Sequence, residues 1–196
     1  MFTPVHAEFF DAPTLELSRN LLGQLLVHEL PEGIVAGRIV ETEAYMGAED
    51  RAAHSFGNRR TKRTEIMFGK PGLVYTYQMH THTLVNVVAG PEETPRAILI
   101  RAVEPVEGME LMAELRGKHM PMKKWTSGPG KLTKAMAISM AYYGHHFTEK
   151  PLYIAQGQPV QSISVGPRVG IGNSLEAVHF PYRFWESENP YVSKFR

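Results

Sequence analysis

The sequence predicts a single α+β domain in which helices pack on an antiparallel or mixed β-sheet. Three observations lead there. Short runs rich in Val, Ile, Leu and aromatic residues recur between Gly, Pro and polar clusters, which is strand punctuation. Only three segments carry helix-type apolar spacing with plausible ends. No repeat, linker or change of composition divides the 196 residues, so the domain is expected to span residues 1–196.

The elements follow in order. Asp11-Ala12-Pro13-Thr14 reads as a helix start with Asp11 or Thr14 as cap, Leu15, Leu17, Leu21 and Leu22 give the apolar face, and Gly23 ends it. Residues 24–30 and 34–45 read as strands joined by Pro31-Glu32-Gly33. Residues 46–73 are loop-like, and 74–88 form a strand and its hairpin return. Residues 97–103 are an apolar strand carrying one arginine, Arg101. A helix over 106–116, stopped by Gly117, is followed by a loop and a short helix over 129–138. Strands over 152–155, 162–165 and 182–185 complete the pattern.

The most informative stretch is Gly37-Arg38-Ile39-Val40-Glu41-Thr42-Glu43-Ala44-Tyr45. Side chains alternate along a strand, so Glu41, Glu43 and Tyr45 share one face. Two acids and a tyrosine on one face mean either a polar pocket or the wet side of an edge strand. Arg101 poses the same question, because a guanidinium in an apolar strand needs an acceptor. It is either aimed at a polar site or tied into an ion pair, with Glu104 as the nearest acid.

Bulk properties narrow the function classes. A hydrophobic content of 43% and a charged content of 21% exclude a disordered chain. The absence of cysteine excludes disulfides, thiolate metal sites and a cysteine nucleophile. The N-terminus shows no secretory pattern and no stretch is apolar enough for a membrane span, so a soluble cytoplasmic protein is expected. Net charge is +1, but Arg59, Arg60, Lys62, Arg63 and Lys70 cluster, as do Arg116, Lys118, Lys123, Lys124, Lys131 and Lys134. Such patches can meet phosphates while the whole chain stays near neutrality. His80-Thr81-His82 places two imidazoles at strand spacing, yet nothing supplies further ligands, so neither metal nor cofactor is expected.

Six motifs occur in one order: Arg38 to Tyr45; Glu49-Asp50-Arg51-Ala52-Ala53-His54-Ser55; Met67 to Gly72 with Tyr75-Thr76-Tyr77; Ile98 to Pro105; Ser127 to Leu132; and Arg168-Val169-Gly170-Ile171-Gly172. In this order and spacing the chain resembles the alkyladenine (3-methyladenine) DNA glycosylase family over nearly its whole length. The resemblance implies a protruding hairpin, no cofactor, and base excision repair of alkylated or deaminated purines flipped out of double-stranded DNA. It implies a monomeric, nucleoid-associated protein of a bacterial cytoplasm. Glu43 would be the base that activates water, with Arg101 beside it and Glu41 structural. Tyr45, His54 and Tyr77 would hold the flipped base, and electron-rich rings would favour a cationic alkylpurine. Asn86 matches the asparagine that can exclude guanine through its exocyclic amine. Arg59, Arg60, Arg63 and Lys131 would contact the DNA backbone, the last at a Gly/Ser turn feeding a helix.

The chain departs from the family at the wedge that fills the gap left by the flipped nucleotide. Where the family carries a tyrosine, this chain reads Tyr77-Gln78-Met79-His80-Thr81-His82. Anchoring on Tyr75 and Tyr77 points to His80, and anchoring on Asn86 points to Met79. Either side chain can insert at a base step. Two other readings stay open: a non-catalytic nucleic-acid-binding module of the same fold, and a hydrolase acting on nucleosides or RNA. No lysine in a pocket motif suggests a Schiff base, so no strand cleavage is expected.

Overall fold

One long strand organises the molecule. In the computed structural model, which describes residues 2–194 and leaves Met1, Phe195 and Arg196 outside the described residues, β2 runs over Gly33–Tyr45. Its first half pairs with β1 (Leu25–Leu30), from Leu30↔Gly33 to Leu25↔Arg38. Its second half pairs with β8 (Arg183–Glu186), from Glu41↔Trp185 to Glu43↔Arg183. Its other edge pairs with β5 (Arg96–Glu107) from Ala36 to Tyr45. β2 is therefore central, and Glu41 and Glu43 are both fully buried. The reading of this segment as an edge strand with a wet face is excluded.

The sheet order is β3 (Val74–Met79), β4 (His82–Ala89), β5, β2, β1 and β6 (Leu152–Ala155), while β7 (Ile163–Gly166) pairs with β8. Every ladder among the described residues is antiparallel, so the expected α+β class holds in its antiparallel form. Three α-helices among the described residues complete it: α1 (Thr14–Asn20), α2 (Met109–Arg116) and α3 (Pro129–Ala135). Leu17, Met112, Leu132 and Ala135 from these helices, with Leu21 just after α1, join Val85, Val87, Ile98 and Ile100 of β4 and β5 in the main core. Truncating a fully buried member such as Leu21 to Ala costs about 2–5 kcal/mol. None of the helices among the described residues is long and apolar enough to cross a membrane.

The opposite face of β3, β4 and β5 carries a second cluster of Tyr75, Tyr77, Leu84, Val88, Ala97 and Leu99 with Met67. Strand alternation accounts for the split: odd and even positions of the same strands serve different faces. The first cluster is roofed by helices. The second is covered by a 3-10 turn over Glu65–Phe68 and by loops, and there a cavity opens.

Several sequence expectations need correction. Neither Asp11 nor Thr14 caps α1: Thr14 lies inside the first turn, and residues 7–11 form a separate 3-10 turn. The helix expected from 106 begins at Met109, because Val106 and Glu107 still belong to β5 and Glu107 pairs with Ala36. Gly108 makes the break at φ 72°, and a Cβ there would lie 2.2 Å from the Ile34 carbonyl oxygen. The chain can turn against β2 only at a residue without a side chain. α3 stops at Ala135 rather than 138, since Ala137 adopts a left-handed φ of 53°.

Candidate active site

Strand register assembles the site. Tyr75, Asn86, Leu99, Glu43 and Arg183 are successive partners across β3, β4, β5, β2 and β8. Tyr45 stands opposite Ala97, and Tyr77 opposite Leu84, in neighbouring rows. Tyr45, Tyr75, Tyr77, Leu84, Asn86, Leu99 and Arg101 thus share the wall of one cavity of about 490 Å³. The loop over 169–174 and His54 close it. That size and its aromatic, few-polar lining suit a single small ligand such as a base.

The acids behind this wall are unequal. Glu41 Oε1 accepts from Arg101 Nε at 2.8 Å, Arg183 Nε at 2.7 Å and Ser193 Oγ at 2.8 Å, and Oε2 accepts from Ser193 N at 2.7 Å. Glu43 Oε1 accepts from Val169 N at 2.7 Å, while Oε2 accepts from Tyr45 Oη at 3.0 Å and Arg101 Nη1 at a long 3.3 Å. All three of Glu43's donors line the cavity. Burial pushes the Glu43 carboxyl above its ordinary value, and Arg101, the Val169 amide and Tyr45 only partly offset it. Arg101 reaches both acids because of a local irregularity. Glu41 pairs with Ala102 and Thr42 with Ile100, so Arg101 has no partner on β2. Bulges of this kind re-aim a side chain beside a site. Arg101 is therefore both paired and at the cavity, whereas Glu104, its expected fallback partner, bonds Arg38 at 2.6 Å.

The cavity walls are aromatic, and guanidinium groups lie against them. Arg168 sits over the Tyr45 ring at 4.8 Å and donates to the Ala44 carbonyl at 2.9 Å. It also forms a fully buried two-pronged ion pair with Asp50. Asp50 in turn accepts from the Met46 and Ala52 amides, which fixes the loop running to His54. On the other side His54 packs edge-on against Tyr77, with centroids 4.6 Å apart, and its Nδ1 meets Tyr75 Oη at 2.8 Å. Arg63 lies over the Tyr77 ring at 4.8 Å, with Nη2 3.0 Å from His54 Nε2. Burial first, then the Arg63 charge, lower the His54 pKa to about 4, so the ring is neutral at physiological pH. Asn86 is buried in an inner strand and donates to the Tyr75 carbonyl at 2.9 Å, not to its own backbone.

The remaining predicted residues fall at the rim. Met79 ends β3, is 46% exposed and lines the cavity. Met79 pairs with His82, which leaves His80 and Thr81 as the turn, and His80 is held at φ 52°. Both wedge candidates therefore sit at the tip of one hairpin beside the cavity. Arg59 is exposed, but Arg60 is committed to Glu65 at 2.8 Å and Glu93 at 2.7 Å. The turn before Lys131 uses part of its own amide set. Gly128 N and Lys131 N donate at 3.0 Å to Thr126 and Gly128 carbonyls, and Pro129 has no amide hydrogen. Among the described residues no three His, Asp or Glu side chains stand close enough to hold a metal ion.

Sequence reasoning missed Asp50, Met67, Tyr75, Leu84 and the Val169 amide, and did not foresee that Arg63 lies against the Tyr77 ring. The quoted motifs around Asp50 and Arg168 were the available signal. No periodicity links two loops separated by 118 positions.

A sequence profile described as methylpurine-DNA glycosylase matches residues 8–190. A protein of Bacillus subtilis (strain 168) is 59% identical over 191 residues, covering 97% of each chain. One of Bacillus velezensis is 60% identical over 191 residues, again with 97% of each covered. A third, of Listeria monocytogenes serotype 4b (strain CLIP80459), is 46% identical over 192 residues, with 96% and 92% covered. All three carry a provisional name, 3-methyladenine DNA glycosylase.

Proposed function

Because the chain belongs to the methylpurine-DNA glycosylase family, we propose that it excises alkylated or deaminated purines from double-stranded DNA by hydrolysing the N-glycosidic bond at Glu43. The observation that carries this reading is a buried carboxylate of raised pKa whose three donors, Tyr45, Arg101 and Val169, all line a base-sized aromatic cavity. A raised carboxylate pKa makes a stronger general base, provided the group is ionised at working pH.

The steps follow from this geometry. The damaged nucleotide turns out of the helix and its base enters between Tyr45 and the His54–Tyr77 pair. Stacking on such faces contributes about 1–3 kcal/mol per base. Glu43 takes a proton from water, the water oxygen bonds to C1′, and the N-glycosidic electron pair leaves with the base. Glu43 has no exposed surface, so the water reaches it only as the long Arg101 contact or the Tyr45 hydroxyl yields. Glu41 holds Arg101 from the other side and keeps its guanidinium level with Glu43. Asn86 presents its amide to the base edge, and Met79 or His80 takes the place vacated in the stack. Arg59 and Lys131 meet phosphates beside the hairpin. The chain acts as a monomer. No lysine among the described residues lines the cavity, which supports base release without strand cleavage.

The test is a labelled duplex bearing one hypoxanthine or one ethenoadenine, together with methylated DNA. Hot alkali should reveal abasic sites made by the protein, and without alkali the strand should stay intact. A folded protein that releases no base from any of these substrates overturns the reading in favour of a binding module.

A further inference from the structure

Both aromatic walls of the cavity have a guanidinium against them, and the two guanidinium groups differ in compensation. Arg168, on the Tyr45 side, is balanced by Asp50. Arg101 and Arg183 are balanced by Glu41 and Glu43. Arg60 and Arg51, further along the same loop region, are balanced by Glu65, Glu93 and Glu176. Arg63 forms no ion pair with a carboxylate among the described residues, and its partners are aromatic side chains: the Tyr77 ring at 4.8 Å, His54 at 3.0 Å and the Tyr75 hydroxyl. It stands in an adjoining cleft that shares His54 and Ala52 with the base cavity.

We infer that Arg63 is a specificity-determining residue that biases this pocket toward neutral damaged bases and against positively charged alkylpurines. The inference rests on the glycosylase reading and refines the substrate class of the same site. Electron-rich rings alone favour a cationic base. Here one ring already spends its attraction on a resident cation, and a second positive charge stacked nearby meets Coulomb repulsion from the first. The neutrality of His54 removes one further charge from the same wall, so the remaining discrimination falls on Arg63. Because Arg63 is exposed, the effect is screened by salt, which separates it from a packing effect.

The experiment measures single-turnover base release from two duplexes of one sequence, one carrying cationic 7-methylguanine and the other neutral hypoxanthine. Wild type, Arg63→Gln and Arg63→Lys are compared at low and high salt. Arg63→Gln should raise the 7-methylguanine to hypoxanthine rate ratio by about three- to tenfold at low salt, an electrostatic shift that shrinks as salt rises. Arg63→Lys keeps the charge and should keep the wild-type ratio. A ratio unchanged in Arg63→Gln, with both rates falling together, makes Arg63 a phosphate contact only and overturns the inference. A lysine variant that behaves like glutamine overturns it too. If wild type releases neither base, the glycosylase reading fails, and the same ratio taken from equilibrium affinities of the two duplexes still decides the inference.

Discussion

Glu41 and Glu43 sit two residues apart on one strand, share Arg101 and are equally buried, yet the structure treats them differently. Glu41 is surrounded: two arginines and both the amide and hydroxyl of Ser193 satisfy its oxygens at 2.7–2.8 Å. Glu43 has one short contact, to the Val169 amide, and two longer ones to groups that face the cavity. Burial of a carboxylate therefore does not by itself mark a reactive group. Glu43 differs in that burial raises its pKa and its three donors, all lining the cavity, offset this only in part.

The largest expected effect tests the closed side of this comparison. Glu41→Ala takes one carboxylate from both buried arginines, leaving Arg101 only its long Glu43 contact, and breaking such a network costs about 3–5 kcal/mol. Urea unfolding should show that loss, and a midpoint close to wild type would mean that Glu41 is not the anchor described. Glu43→Gln should behave in the opposite way. A carboxyl whose folded pKa is raised contributes stability that is present at low pH and lost as pH rises through that value. The glutamine variant should thus gain melting temperature relative to wild type between acid and neutral pH. A variant that loses stability across that range would show that the Arg101 contact outweighs burial.

The hairpin ranks next. Met79→Ala or His80→Ala should weaken binding to lesion duplex by about 5- to 150-fold, the equivalent of one lost stacking contact of about 1–3 kcal/mol. Unchanged affinity and turnover in both variants would remove the wedge from the account. Smallest of all is the contrast between Arg59 and Arg60. Arg59→Ala should lower the slope of log affinity against log salt by about one. Arg60→Ala should change it less, because that guanidinium is already held by Glu65 and Glu93. Equal slopes for the two variants would mean that DNA pulls Arg60 from its carboxylates.

Much of the site was legible because it obeys strand alternation. Glu41, Glu43 and Tyr45 on β2 fall on one face simply by counting in twos, whereas Tyr77 on β3 came from the family resemblance. Arg101 stood out as a charge in an apolar run. What alternation cannot convey is the irregularity that lets Arg101 reach two acids, since the bulge arises from pairing between strands. Nor could it convey the Asp50–Arg168 pair or the seat of Arg63, where loops meet in space without any shared period. The helix boundary at Gly108 was misplaced for a related reason: apolar Val106 fits a helix face as well as a strand end, and only contact with Ile34 decides between them. At the Gly128 turn alternation is equally silent: two of its amides, Gly128 N and Lys131 N, are taken up by Thr126 and Gly128 carbonyls.

The most direct test is base release by Glu43→Gln on a duplex with a single hypoxanthine, alongside its affinity for that duplex. A folded variant that binds the lesion as wild type does, while release falls on the order of 10²–10⁴-fold, is the predicted result for loss of a general base. Release at the wild-type rate would place the base elsewhere and contradict the account.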